Sequence, residues 1–531
     1  MSDTNRLSTH NLTNLRWPVA VWVTIFFAAF YSLLTQTHYF INADVAFLTQ
    51  MALYGESGDL YTQYFEINPP LIVYIYRLFL LPYYLGDWSV VSSLRISMIS
   101  YLLLISALSH YYVVRLQIKQ PLIWVLAISL SLLFVLPAAF LQREHIIAAS
   151  LILYLLMMAC RLQARPCSIL IQSITLTLAG IAVCLKPQYI VALVFLELYY
   201  LWLNRKILLL LRWQNIYLAM IGAIYIIYVY NFHPAYFSNV APMASETYVA
   251  YFDDLESLLG RLALLSLLLF LPYRFLVQAS TKKQVIKGIY VLVFAGFVAF
   301  LIGQAGFSYH LILVFTLLSI VLIASWLYVV TELTAHFSAK GLVQLLFLSA
   351  ILFFVRHYHF IDINKVNLDR ALTQLIAKDS RLPKELIEFN PFQSIYNATD
   401  KLVSPGQSIY AFSARLFVGH PIAIHLGQRW SGRFPVLWPL PESLKDPTDK
   451  SNKARLDLVN KIVTEDIEKS KPQIILVEMS THLLRYPQGF DFIEHFSQYR
   501  EFADVFQHYQ HSATYSAPES DWAIYVRKRN K

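Results

Sequence analysis

The sequence predicts a polytopic α-helical membrane protein of about 11 transmembrane helices with a C-terminal extracytoplasmic α/β domain. Hydrophobic residues make up 57% of the 531 residues, and charged residues only 14%. Apolar runs repeatedly reach the roughly 20 residues that cross a hydrocarbon core of about 30 Å. Residues 357–531, in contrast, contain 22 Lys/Arg and 20 Asp/Glu, a charge density typical of a water-soluble domain. The chain is therefore divided into a transmembrane domain, 1–356, with a first outer loop at 37–87, and a soluble domain, 357–531.

The apolar periodicity places each span to within a few residues. The predicted spans are 17–36, 88–114, 121–140, 146–163, 168–185, 188–204, 213–231, 257–279, 288–303, 311–330 and 342–356. The first is interpreted as an uncleaved helix, because it is longer than the apolar core of a signal peptide. Segment 69–86 is interpreted as a juxtamembrane or re-entrant helix, because counting it as a span would invert every later loop.

Loop charges give the orientation. With a cytoplasmic N-terminus, the inner segments contain 14 Lys/Arg and only two acidic residues, Asp3 and Glu332, whereas the outer segments are mostly acidic. This asymmetry follows the positive-inside rule and places the C-terminal domain outside the cytoplasm. The excess of basic residues lies in these short loops, so the net charge of +9 does not indicate a nucleic-acid partner.

Within the soluble domain, residues 407–413, 472–480 and 521–528 have the composition of buried strands. Residues 366–389 and 452–469 have helical periodicity. Proline and glycine near 391–406 and 427–447 favour surface loops.

Cysteine and histidine chemistry is not indicated. The three cysteines, Cys160, Cys167 and Cys184, lie in or beside apolar spans, so no disulfide framework is implied. The histidines of the tail lack the spacing of a metal site. No cofactor is therefore expected from these residues.

Four outer connectors contribute polar groups where ordinary spans would avoid them. Ionisable side chains at a membrane boundary are costly to desolvate and often mark a substrate path, so their convergence predicts a site. The groups are Asp44, Glu66 and Asn68 in the first loop, Gln142 to His145, Lys186 to Tyr189, and Gln304 to His310.

The first loop, running from Asp44 through "GDLYTQYFEINPPL", resembles the first extracytoplasmic loop of the GT-C superfamily of membrane glycosyltransferases, as found in bacterial aminoarabinose transferases and protein O-mannosyltransferases. The segments "LQREHIIAASLILYLL", "CLKPQYIVALVFLELYYLW" and "GFSYHLILVF" are similar to recurring segments of bacterial GT-C-type proteins. The resemblance implies a GT-C fold in a bacterial inner membrane. It also implies inverting transfer of a sugar from a polyprenyl-phosphate donor to an extracytoplasmic glycan, lipid or protein.

The resemblance also assigns roles. Asp44 maps to the presumed catalytic base, with Glu66 as the second acidic residue of the loop. Cations from separate connectors would neutralise the departing phosphate: Arg143, His145, Lys186 and His310. Supporting residues would be Glu144, Asn68 and Tyr309.

Two departures from the aminoarabinose transferases bear on these roles. Asp44 is followed by Val45 instead of a second acid, and Ile67 stands where those enzymes have a lysine after Phe-Glu. The phosphate role then falls more heavily on Arg143 and Lys186. A divalent metal held by Asp44, Glu66 and Glu144, as in oligosaccharyltransferases of the same fold, is a further alternative.

Plainer interpretations remain open for several residues. Glu66 could hold the loop through backbone hydrogen bonds or pair with Arg143. Arg143 and Glu144 could form an interfacial ion pair, and Lys186 could extend to lipid headgroups. Asp59, after Gly58, is interpreted as a turn residue.

Two non-enzymatic functions compete with glycosyl transfer. A lipid-linked sugar transporter or flippase would place charged groups through the depth of the membrane and show paired half-repeats, whereas the predicted spans are nearly free of central charge and show no repeat. A membrane-anchored scaffold would need only one helix, which disfavours that role.

Overall fold

The computed structural model describes residues 4–56, 58, 60–134, 137–262, 283–335, 341–346, 348–349, 368–382, 392–480, 483, 485–517 and 520–528. The chain forms two compact units. A helical unit comprises residues 1–37, 95–223 and 253–366, and a mixed unit comprises 38–94, 224–252 and 367–531. The first outer loop therefore belongs to the same unit as the C-terminal residues. The predicted boundary at residue 356 stays a prediction.

Long apolar helices build the helical unit. They are Thr4–Gln36, Val90–Arg115, Pro121–Phe134, Arg143–Leu162, Ile169–Leu185, Ile190–Asn204, Trp213–Phe232, Lys283–Gly303 and Ile312–Ala335, of which residues 90–94 and 224–232 belong to the mixed unit. Arg143–Leu162 is the central helix, with 89% of its apolar window buried. Glycines allow a neighbour to approach it closely, since a Cβ on Gly288 would lie 2.9 Å from Leu155 Cδ1.

Nine of the predicted spans coincide with these helices. Within the described residues, six helices are long and apolar enough to cross a membrane, and Pro121–Phe134 and Ile169–Leu185 are shorter apolar helices. Most of the predicted spans 257–279 and 342–356 lies outside the described residues. The total of eleven spans therefore stays a prediction.

The apolar segment 69–86 forms two short helices, Leu71–Phe79 and Leu81–Leu85, instead of one span. Arg77 fixes the first of them, donating from Nη2 to the carbonyl of Gly55 at 2.8 Å. This agrees with its interpretation as a juxtamembrane segment.

The mixed unit is built on a five-stranded sheet. Its strands are β1 Ser408–Phe412, β2 Arg429–Trp430, β3 Ile474–Met479, β4 Tyr509–Ala517 and β5 Ser520–Arg527. Their order is β2-β1-β3-β5-β4, with β2, β1 and β3 parallel and β5 antiparallel to both β3 and β4. Ile409 pairs with Ile474 and Leu476 with Ile524, so the central strands are apolar and buried.

Short helices complete this unit. They are Ala43–Tyr54, Leu60–Gln63, Ala241–Thr247, Leu368–Ile376, Gln393–Leu402, Gly419–His425, Leu440–Ser443, Lys450–Ser470, Phe492–Ser497 and Arg500–Phe506. The three predicted strands are present. The loop predicted at 391–406 is wrong in part, because Gln393–Leu402 is helical, burying Ile395 and Tyr396.

The first outer loop is hydrogen-bonded to the loops of the sheet. The backbone N–H of Phe65 donates to the carbonyl of Arg433 at 2.8 Å, and the carbonyl of Phe65 accepts from Trp438 Nε1 at 3.1 Å. Gln50 Nε2 donates to the carbonyl of Gln428 at 2.9 Å. Because buried backbone groups are costly when unpaired, these bonds fix the first outer loop on the loops of the sheet.

His420 lies in the apolar interior between the first-loop helix and β2. Its Nε2 bonds to the carbonyl of Pro435 at 2.7 Å, and its ring contacts Phe47 and Trp430. Burial lowers the pKa of His420 from 6.5 to about 4. The folded chain therefore holds this imidazole neutral.

We expect the stability of the protein to fall as the pH drops from about 6.5 to about 4. In that window the unfolded chain protonates His420 and the folded chain does not, at a slope of up to about 1.4 kcal/mol per pH unit. Unfolding midpoints of the detergent-solubilised protein across this range should fall less steeply in His420→Gln than in the parent. His511→Gln, an exposed histidine on β4, is the control. If the unfolding midpoints of the parent and of His420→Gln fell equally with pH, the burial of a neutral His420 would not be the cause of the pH dependence.

Candidate active site

A buried carboxylate lies at the centre of the polar cluster in the helical unit. Glu144, in the first turn of Arg143–Leu162, is 0% exposed. Its Oε1 lies 2.6 Å from Lys186 Nζ and 3.8 Å from His310 Nε2. Three connectors that are distant in sequence therefore meet here, as the sequence predicted for these residues.

Two of these connectors begin with a residue in the left-handed backbone conformation. Leu141 has φ +73°, just before the N-cap residue Gln142, and Gln304 has φ +50° at the start of the segment that leads to His310. A left-handed conformation costs a branched residue such as leucine about 1–3 kcal/mol and tends to occur at functional sites. The turn at Leu141 carries the chain into the helix that presents Arg143 and Glu144.

His310 is oriented by its neighbours. Its Nδ1 bonds to the carbonyl of Ala305 at 2.9 Å, and its own carbonyl accepts from Tyr189 Oη at 2.9 Å. Because a carbonyl only accepts, Nδ1 carries the proton, and in the neutral ring Nε2 is an acceptor. The ring packs edge-on against Tyr309, whose centroid lies 5.8 Å from Lys186 Nζ.

Two basic side chains lie in the same cluster as Glu144. Arg143, 4% exposed, acts electrostatically on both Glu144 and His310. Lys186 contacts Glu144 directly. Guanidinium and ammonium groups are the side chains that suit phosphate oxygens.

His145 makes a structural contact. Its Nε2 bonds to the carbonyl of Leu132 at 2.7 Å, and its ring packs against Phe140. This bond connects the helices Pro121–Phe134 and Arg143–Leu162 and accounts for the burial of the imidazole. The role of His145 in phosphate binding stays a prediction.

Asp44 lies in the mixed unit, in the first turn of the helix Ala43–Tyr54. Its backbone N–H donates to the N-cap residue Asn42 at 3.0 Å, and its residue surface is half-buried. A negative side chain in the first turn is favourable with respect to the helix dipole. The N-cap bond therefore fixes the backbone at Asp44.

Glu66 and Asn68, also in the mixed unit, hold one another. Glu66 is 7% exposed, and its Oε1 accepts from the backbone N–H of Asn68 at 3.0 Å as well as from its side-chain amide. Tyr61 Oη donates to the carbonyl of Asn68. Burial and the nearby Glu66 raise the pKa of Tyr236 to about 12. These contacts agree with the loop-holding interpretation of Glu66, and its catalytic role stays a prediction.

Some polar residues escaped the sequence interpretation. Arg95, in the helix Val90–Arg115, is 3% exposed, and Glu197 is 8% exposed inside Ile190–Asn204. Each is a single charged residue in an apolar span, and this pattern could have identified them. Burying such a charge costs free energy, so these residues often have a functional role. Asp59 lies outside the described residues.

The divalent-metal alternative gains no support. Within the described residues, no three His, Cys, Asp or Glu side chains lie together as a ligand set. The Oε1 atom of Glu144 is instead engaged by Lys186.

No protein-family model and no curated protein matches the chain. Solved structures similar to it include two of ArnT from Cupriavidus metallidurans. ArnT in the apo state has 13% identity and a TM-score of 0.47, covering 97% of this chain and 98% of that chain. ArnT bound to undecaprenyl phosphate has 13% identity and a TM-score of 0.45, covering 96% of this chain and 98% of that chain.

We expect Glu144 and Lys186 to be strongly coupled in stability. Glu144→Gln or Lys186→Met alone leaves a buried charge without its partner, a loss of about 3–5 kcal/mol. The double variant should lose much less than the sum of the single variants, because both charges are gone. The measurement is chemical unfolding of the four proteins in detergent.

The exposed pair Lys119–Glu332, with side chains 52% and 47% exposed, provides the control cycle. Its coupling should be within about 1 kcal/mol of zero. Equal coupling in the two cycles would show that the Glu144–Lys186 contact is not a buried ion pair.

Proposed function

We propose that the chain is a GT-C-type glycosyltransferase of a bacterial inner membrane. It would move a sugar from a polyprenyl-phosphate donor to an extracytoplasmic glycan, lipid or protein. One observation carries the proposal, namely that Lys186 is held at 2.6 Å by the buried Glu144, beside Arg143 and His310. The resemblance of the first loop to GT-C loops adds the reaction class.

The reaction needs cations at the leaving group. The acceptor oxygen forms a bond to the anomeric carbon, and the bond from that carbon to the donor phosphate breaks. The departing polyprenyl phosphate then gains negative charge. Preorganised cations stabilise such charge more strongly in a water-poor site than in water. Lys186 would supply a point charge and Arg143 a planar fork with several donors.

Glu144 would act as a positioning residue for Lys186. The carboxylate is 0% exposed and fixes the ammonium group beside His310. A lysine side chain has four rotatable bonds, and this contact restricts the positions of its ammonium group. His310 would donate to a phosphate oxygen through Nε2 as the imidazolium, since its Nδ1–H is taken by the carbonyl of Ala305.

Asp44 would be the general base. It would take the proton of the acceptor hydroxyl as the new glycosidic bond forms, a contribution of about 10²–10⁴-fold for a well-placed base. Its support is the motif of the first loop and its fixed place at a helix start. Glu66 would keep the loop in shape through Asn68.

The orientation is also a proposal. It rests on the positive-inside distribution of Lys and Arg, with the N-terminus in the cytoplasm and the soluble domain outside. Donor and acceptor would then meet at the outer leaflet, where a lipid-linked sugar and an envelope acceptor are both available.

Asp44→Asn should abolish transfer without lowering the amount of protein in the membrane. The amide has nearly the shape of the carboxylate but cannot take up the proton. Cells that lack the protein would be complemented with each variant. Mass spectrometry of their lipids, glycans and proteins would then identify the sugar-sized increment that depends on the protein. Asp87→Asn, in the same loop with its side chain 82% exposed, should transfer normally. Normal transfer by Asp44→Asn would remove the general base from the proposal.

Measurements of donor-lipid binding separate the role of Asp44 as general base from the role of Lys186 in phosphate binding. Purified Asp44→Asn protein should bind undecaprenyl phosphate as the parent does, whereas Lys186→Met should bind it at least about tenfold more weakly, the equivalent of about 1.4 kcal/mol. The phosphate assignment fails if Lys186→Met, checked for folding by its unfolding profile, binds with unchanged affinity.

A further inference from the structure

A second buried ionic cluster lies at the other end of the central helix. Glu144 is in the first turn of Arg143–Leu162 and Arg161 is in its last turn, about 26 Å apart at 1.5 Å per residue. Arg161 Nη2 lies 3.0 Å from Glu197 Oε1, and Arg212 Nη2 bonds to Glu197 Oε2. The three side chains are 12%, 10% and 14% exposed for Arg161, Glu197 and Arg212.

Aromatic residues enclose this cluster. Tyr154 Oη donates to Glu197 Oε1 at 2.5 Å. The ring of Tyr200 lies between the two guanidinium groups, 5.5 Å from that of Arg161 and 4.1 Å from that of Arg212. Stacking of this kind holds both arginines in fixed orientations. The arrangement is therefore a built site and not a pair of mobile surface side chains.

The cluster contains two positive charges and one negative charge, and its donors exceed its acceptors. Nε and Nη1 of Arg161 and Nη1 of Arg212 are buried, and none of them has an acceptor among the described residues. Unpaired buried donors are costly, more so on a charged group. If Glu197 served only to connect helices, one arginine would be enough to neutralise its carboxylate. The remaining donors and the remaining positive charge both call for an oxygen-rich anion.

The neighbouring segment has the pattern of a membrane-interface anchor. The short turn Ile207–Leu211 leaves the side chains of Ile207, Leu208 and Leu211 70%, 76% and 72% exposed. Basic residues flank it, with Lys206 before and Arg212 after. Apolar side chains between basic ones are typical of a segment inserted at the headgroup boundary of a bilayer.

We propose that Arg161 and Arg212 bind the phosphate of an anionic lipid whose hydrocarbon chains lie against Leu208 and Leu211. The phosphate oxygens would accept from the guanidinium donors that Glu197 leaves over. Glu197 and the ring of Tyr200 would set the distance between the two arginines. This site is separate from the proposed transferase chemistry and does not rest on it.

The full-length protein, purified in detergent, tests the proposal with three probes: phosphatidylglycerol, phosphatidylcholine with the same acyl chains, and inorganic phosphate. Native mass spectrometry and thermal unfolding should show one retained phosphatidylglycerol and a raised unfolding temperature. Phosphatidylcholine should have a much smaller effect, because its headgroup carries no net charge. Equal binding of the two lipids would overturn the proposal. If inorganic phosphate protects as well as phosphatidylglycerol, the phosphate chemistry stands and the lipid as its source is overturned.

Variants separate binding from structural support. Arg212→Gln should weaken phosphatidylglycerol binding by about tenfold or more, whereas Arg205→Gln, an exposed arginine of the same segment, should not. Glu197→Gln should bind at least as tightly as the parent, because the internal competitor for the arginines is gone. A purely structural cluster predicts instead that Glu197→Gln loses as much lipid affinity as Arg212→Gln.

If Arg212→Gln does not fold, Arg161→Lys replaces it as the test. This variant keeps the positive charge but not the planar guanidinium group, and its affinity for phosphatidylglycerol should be intermediate. Parental affinity in both arginine variants would exclude the site.

Discussion

The burial of Glu144 is the constraint on which the candidate site depends. A carboxylate that is 0% exposed must be compensated, because the low dielectric inside a helix bundle penalises an isolated charge by several kcal/mol. Lys186 supplies the compensation at 2.6 Å, and this single contact fixes where the connector between Ile169–Leu185 and Ile190–Asn204 must lie. His310 is brought to the same carboxylate from a third connector. Arg143 acts electrostatically on the same carboxylate, so side chains from three connectors are tied to one buried group.

In the mixed unit, the contacts between the first outer loop and the sheet hold that long loop in one conformation. The helix Ala43–Tyr54 buries apolar side chains such as Phe47 and Met51, and the non-helical part of the first loop depends on bonds to the loops around the sheet. Phe65 is held on both its backbone N–H and its carbonyl, and Glu66 closes the next turn through Asn68. Asp44 is fixed from the start of its helix. The proposed base therefore lies in the same compact unit as the sheet.

Much of this architecture was open to prediction from the sequence, and the failures have physical causes. The transmembrane spans and central strands could be predicted because burial of their apolar side chains is the largest contribution to their stability, and apolar runs are visible in the sequence. The convergence of Glu144, Lys186 and His310 was inferred from their common place at helix ends, but the choice of partner was not, since Arg143 is adjacent in sequence and Lys186 is 42 residues away. The helix Gln393–Leu402 was missed because turn-forming residues surround it, and tertiary packing of Ile395 outweighs that preference. Strand β4 was missed because it is an edge strand with mostly exposed side chains.

The two ends of the helix Arg143–Leu162 can be compared directly. Each carries a buried glutamate in contact with basic side chains, Lys186 at one end and Arg161 and Arg212 at the other. At the end near Arg161, basic side chains agree with the positive-inside rule, since the connectors there are predicted to face the cytoplasm. At the end near Glu144 the connectors are predicted to face outward, so that rule does not account for Lys186. The buried carboxylate of Glu144 does account for it, because a charge at 0% exposure needs a partner and Lys186 provides one at 2.6 Å.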